Sequence, residues 1–129
     1  MAQPILTLTI PEIGPSANEF YAGMHPYVRK RIANQWHTLL LWIVKDLHIK
    51  PITVYPLIAD FRIHFGKDRR CYDSDNCAPS AKLVLDGLVR ARVLKGDSPR
   101  YVASTHLTPV RGNGKSFIEL TLSPVEDAA

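Results

Sequence analysis

Residues 59–90 read ADFRIHFGKDRRCYDSDNCAPSAKLVLDGLVR, two hydrophobic periods joined by a polar run. Ala59, Phe61, Ile63 and Phe65 alternate with Asp60, Arg62 and His64, the two-residue repeat of a strand with one buried face. From Ala81 the period lengthens. Ala81, Val84, Leu85 and Leu88 form an apolar stripe at three- and four-residue steps, and Lys82, Asp86 and Arg90 form a polar row beside it. Pro79 has no amide hydrogen and fits only a first helical turn, so the helix is expected to start close to it. A strand therefore feeds a helix through the most polar stretch of the chain.

The same periods extend outward. Residues 5–10 alternate and predict a first strand. Residues 11–26 are rich in turn formers, among them Gly14, Pro15, Ser16, Asn18 and Gly23. Val28, Ile32, Trp36, Leu39, Leu40, Ile43 and Leu47 then predict a long amphipathic helix. Its first turn carries Arg29, Lys30 and Arg31. Cations there oppose the helix dipole by about 0.3–1 kcal/mol each, so they are either a solvated basic turn or phosphate contacts. Pro51 and Pro56 predict an irregular start or a bulge for the strand of residues 59–65. Downstream, residues 101–107 and 117–122 predict two more strands. The connection Arg111-Gly112-Asn113-Gly114-Lys115 reads as a hairpin turn with basic flanks. Residues 124–129 are expected to fray. The order β-α-β-α-β-β predicts one α+β domain over residues 1–129, a mixed sheet with two helices packed on it.

The chain has 129 residues, 46% of them hydrophobic and 22% charged, enough to bury a core without disulfide staples. Cys71 and Cys77 are expected to be reduced thiols, since the Cys-x5-Cys spacing matches no usual zinc site. No apolar run approaches the roughly 20 residues of a membrane-spanning helix. No basic region followed by an apolar stretch opens the sequence, so a cytoplasmic protein without membrane partners is expected. The net charge is +4, from 16 Lys and Arg against 12 Asp and Glu, which permits a nucleic-acid partner. Clusters at residues 29–31, 67–70 and 111–115 concentrate that charge. No glycine-rich phosphate loop and no nucleophile elbow is present, and no small-molecule cofactor is expected.

Chemistry could reside in Asp73, Asp75 and Asp97. Short, hard carboxylates suit Mg²⁺, which takes one or two of them together with water and phosphate oxygens. In an extended backbone Asp73 and Asp75 point to one side. Asp97 lies past the end of the helix and joins them only if the following loop folds back. Lys82, near the first helical turn, could hold a phosphate or a leaving oxygen. Lys67, Arg69 and Arg70 could bind the flanking backbone. The plain alternative is a solvated loop with Asp75 and Asn76 capping the helix. His37 and His48 read as bystanders on the first helix.

Together these residues resemble a known family, the RusA-like Holliday-junction resolvases of phages and prophages. The resemblance lies in Arg69-Arg70-Cys71-Tyr72-Asp73-Ser74-Asp75-Asn76, in Lys82-x3-Asp86-Gly87-Leu88, and in Val93-Leu94-Lys95-Gly96-Asp97-Ser98. Pro15-Ser16-Ala17-Asn18 and Tyr21 resemble the family's early Pro-Ser-x-Asn element. The likeness runs from about Leu6 to Leu122. Two features depart from the family pattern. Ala78-Pro79-Ser80 lengthens the stretch between Asp75 and Lys82, and Gly96-Asp97 supplies one acid where the family often has two.

The resemblance implies a homodimeric, Mg²⁺-dependent endonuclease that resolves four-way and other branched DNA junctions by paired symmetric nicks in recombination and repair, with Mn²⁺ able to substitute. It implies Asp73, Asp75 and Asp97 as metal ligands and Lys82 as the catalytic or phosphate-positioning lysine. Arg69 and Arg70 would contact DNA near the cut, and Asn18 would support DNA binding or the site. It also implies a bacterial or phage-infected cytoplasm. The rival expectations are a branched-DNA-binding protein that does not cut, and a small basic protein-interaction module.

Overall fold

The computed structural model describes residues 3–67 and 69–125. Its elements in chain order are β1 (Leu6–Ile10), α1 (Ala17–Tyr21), α2 (Pro26–Asp46), β2 (Leu57–Phe65), a one-turn 3-10 helix (Ser74–Cys77), α3 (Ala78–Arg90), β3 (Val102–Arg111) and β4 (Phe117–Pro124). The α+β class and the mixed sheet are as expected. Pro79 lies in the first turn of α3, and Pro26 opens α2. Asp68 and residues 126–129, which hold most of the tail expected to fray, lie outside the described residues.

The sheet order is β1-β4-β2-β3. β4 lies between β1 and β2 and is antiparallel to both, while β2 and β3 are parallel. The expected hairpin between the last two strands is therefore incorrect, because β2 separates β3 from β4. Two strand spacings of ~4.8 Å make a gap of ~10 Å, within reach of a five-residue connection at ~3.4 Å per residue. That connection crosses the end of β2 closely. Gly112 N donates to the Phe65 carbonyl at 2.8 Å, and Gly66 N donates to Ser116 Oγ at 2.9 Å. A Cβ on Gly66 would lie 2.0 Å from the Gly114 carbonyl oxygen, so only glycine allows this crossing. The irregular start expected from Pro51 and Pro56 is present, as a register shift between Leu57 and Ile58 against β3.

The alternating residues of β2 face α2 and α3. Phe61, Ile63 and Phe65 are fully buried, as are Leu120 and Leu122 of β4. They join Trp36, Leu40 and Val44 of α2 and Val84 and Leu88 of α3 in one core. Each such side chain contributes roughly 1.5–3 kcal/mol of burial. Both long helices end alike. After α3, Arg92 adopts φ 65° while Arg92 N and Val93 N donate to the Val89 and Leu88 carbonyls. After α2, His48 at φ 53° and Ile49 repeat the pattern. This left-handed cap satisfies the last carbonyls, and here non-glycine residues supply it.

Candidate functional site

The stretch leaving β2 lies over the loop that follows β1. Arg69 donates through one guanidinium nitrogen to the Ile13 carbonyl at 3.1 Å and through the other to Tyr72 Oη at 2.8 Å. Tyr72 packs edge-on against Phe65, and burial pushes its phenol above the ordinary value while Arg69 opposes the shift. From α3, the fully buried Ser80 accepts the Gly14 amide at 2.9 Å. These bonds hold residues 13–18 against residues 69–80. A hollow of about 400 Å³ opens between the two stretches, lined by Asn18, Arg69, Arg70, Asp73 and Asn76 among others.

Asp73 occupies the N-cap of the 3-10 turn, but its side chain makes no capping bond. Asp73 and Asp75 are both exposed. Asn76 does not cap α3; its Oδ1 accepts the Asn18 amide, in the first turn of α1, at 3.3 Å. Neither Asp75 nor Asn76 therefore acts as the N-cap of α3. That position belongs to Cys77, again without a side-chain bond. Asn18 is held by a short helix that the turn-rich reading did not foresee. Ser16 Oγ accepts the Glu19 amide at 3.2 Å and donates to the Glu19 carboxylate at 3.1 Å. This is half of a capping box, legible in Ser16-x-x-Glu19, with the Glu19 carboxylate held by the Ser16 hydroxyl rather than by the Ser16 amide.

Asp97 returns to α3. Val93 and Leu94 are buried, Ile52 N donates to the Val93 carbonyl at 2.8 Å, and Lys95 N donates to Tyr55 Oη at 3.0 Å. Gly96 abuts one side of the Tyr101 ring, where a Cβ would come within 2.7 Å of Cδ2. The loop after α3 thus folds back along the helix. Lys82 Nζ lies 3.9 Å from Asp97 Oδ2 and 3.6 Å from Asp86 Oδ1. Partial burial raises the Asp86 carboxyl above the usual carboxylate range; Asp97 adds to the shift and Lys82 opposes it. Asp86, one member of a surface row in the sequence, is the site residue that sequence reasoning missed. Its i,i+4 spacing to Lys82 was the available signal.

The remaining residues separate into near and far. Arg29 and Lys30 line a hollow of about 330 Å³ together with Lys82 and Asp86, while Arg31 does not line it. Arg70 is exposed beside Asp73. Lys67 is exposed at the turn after β2 and does not line that hollow.

Among the described residues, no three His, Cys, Asp or Glu side chains come close enough together to hold one metal ion. Within one chain, Asp73, Asp75 and Asp97 do not converge on a common point, unlike the expected ligand set. The donors themselves suit Mg²⁺. Asp86 and Asp97 form a pair of hard carboxylates, and Asp73 is not consumed by capping. No described helix is long and apolar enough to cross a membrane. No protein-family model matches the chain, and no curated protein matches it.

Proposed function

We propose that the chain is a RusA-like, structure-selective DNA endonuclease that resolves four-way and branched junctions by paired symmetric nicks in recombination and repair. The observation that supports this most is the return of Asp97 to 3.9 Å from Lys82, across 15 residues of sequence and beside Asp86. Lys82 is a compact cation that can hold a non-bridging phosphate oxygen or offset charge on the leaving oxygen. Asp86 and Asp97 would hold Mg²⁺, with Asp73 and Asp75 as the other candidate ligands and Mn²⁺ able to substitute. When bound, such an ion lowers the pKa of a water and offsets charge on the phosphodiester. Arg70 is free to contact the backbone beside the cut. Arg69 acts through its bonds to Ile13 and Tyr72, which shape the hollow. Two symmetric nicks require two equivalent sites, which a twofold homodimer supplies.

One observation favours a second reading. The three expected carboxylates do not converge in one chain, which suits a protein that binds branched DNA without cutting it. Incubation of a synthetic four-way junction with Mg²⁺ separates the two. The first reading expects symmetric nicks that Asp97→Asn slows strongly while binding persists. Binding without cleavage in either Mg²⁺ or Mn²⁺ overturns it in favour of the second.

A further inference from the structure

Two rows of residues face each other along the surface seam between α2 and α3. On α2, Arg29, Ala33 and His37 recur at four-residue steps; on α3, Lys82, Asp86 and Arg90 do the same. The first hollow on the seam is lined by Arg29, Lys30, Ala33, Lys82 and Asp86. The next, of about 210 Å³, is lined by His37 and Arg90, one helical turn further along both helices. The seam therefore carries four fixed cations, Arg29, Lys30, Lys82 and Arg90, against two carboxylates, Asp86 at 3.6 Å from Lys82 and Asp97 at 3.9 Å from it.

A second observation points to a ligand. Among the described residues, the only buried side-chain polar atoms without a hydrogen-bond partner are Arg29 Nε and the two ring nitrogens of His37. All three are on the α2 row of this seam. Arg29 Nε is a donor, and a neutral His37 ring, favoured by burial and by Arg90, offers one donor and one acceptor; a buried donor without a partner costs about 1–3 kcal/mol, which acceptor oxygens brought to this seam would offset. Eight residues separate Arg29 from His37, about 12 Å of helix, room for roughly three phosphates at ~3.4 Å of axial rise per strand.

We infer that the α2–α3 seam is a track for the phosphodiester backbone of a DNA strand, running from Lys82 past His37 to Arg90. This rests on the reading of the protein as one that acts on DNA, and it extends the contact surface beyond Arg69 and Arg70. Arg29 and His37 donate to phosphate oxygens from one wall, and Arg90 supplies the charge at the far end. The contacts carry no base information, so the track sets register and orientation rather than sequence preference.

The test is anisotropy of a labelled four-way junction in EDTA, so that binding is read without cleavage, over about 50–200 mM salt. Arg90→Gln is compared with Lys45→Gln, which removes a charge from α2 outside both seam hollows, where Lys45 lies over the Trp42 ring. Arg90→Gln is expected to weaken binding several-fold and to lower the salt slope by about 1, while Lys45→Gln leaves both unchanged. Equal effects of the two variants, or no effect of Arg90→Gln, overturn the track. Nicking in Mg²⁺ is measured alongside. Nicking with an Arg90-independent salt slope removes the track and leaves the endonuclease. An Arg90-dependent slope without nicking keeps the track and removes hydrolysis. Absence of any junction binding overturns both.

Discussion

In the sequence Asp86 is one member of a polar row; in the fold its carboxyl meets Asp97. Burial is the larger cause of its raised pKa, the neighbouring carboxylate the second. The sign follows from linkage. A raised carboxyl favours the protonated form in the folded state, so ionisation costs stability at neutral pH and costs nothing below the ordinary carboxylate range. Asp86→Asn is therefore expected to melt higher than the parent at neutral pH in EDTA, with the gap closing as pH falls through that range. The same variant should nick junctions more slowly. A lower melting temperature at neutral pH would contradict the assignment. Cys77 is a second case. Burial, with Cys71, Asp75 and Asp73 adding to it, pushes its thiol up to about 11. The thiolate is the reactive form, and Cys71 is only partly buried. Iodoacetamide at mildly alkaline pH should label Cys71 well before Cys77, read by mass spectrometry; equal rates would sink this reading. At this scale the sequence offered candidate residues but not which ones meet. The meeting of Asp97 with Lys82 depends on Tyr55, distant in sequence, and on Tyr101, four residues beyond Asp97, which pin the returning loop.

At the scale of elements, each period forecast its element, and strand neighbours were the part that could not be read. Alternation shows which face of β4 is buried, and that face is buried equally well beside β3 or beside β2. The residues 111–115 suit a hairpin turn and also suit an arch over Gly66. The arch is identified by the contacts of Phe65 and Gly66 with residues 112–116, which no local pattern encodes. The helix pair yields a prediction where two effects compete. Gly87 lies against Leu40, and a Cβ there would come within 2.8 Å of the Leu40 Cγ. Gly87→Ala gains about 1 kcal/mol of helix propensity. Overpacking the α2–α3 contact costs roughly 1–3 kcal/mol, and the leucine branch point cannot swing away as a side-chain tip could. The net expectation is destabilisation of up to about 2 kcal/mol in urea unfolding. A more stable Gly87→Ala would show that the helices are less closely packed than described.

For the whole molecule, the net charge of +4 has a distribution that the total does not show. Basic residues lie beside the acids, with Arg70 and Asp73 lining one hollow, Arg29 and Lys30 sharing another with Asp86, and Arg90 further along the α2–α3 seam. An enzyme that binds a polyanion through cations and cuts it with carboxylate-held metal needs both signs at close range. The central claim is that Asp97, brought back to Lys82 by the loop after α3, takes part in cutting DNA. Its most direct test is the single-turnover nicking rate of a four-way junction in Mg²⁺, for the parent protein and for Asp97→Asn, with junction affinity measured for both. The account predicts parent nicking that falls by about 10²–10³ in Asp97→Asn at unchanged affinity. Nicking by Asp97→Asn at the parent rate would contradict it.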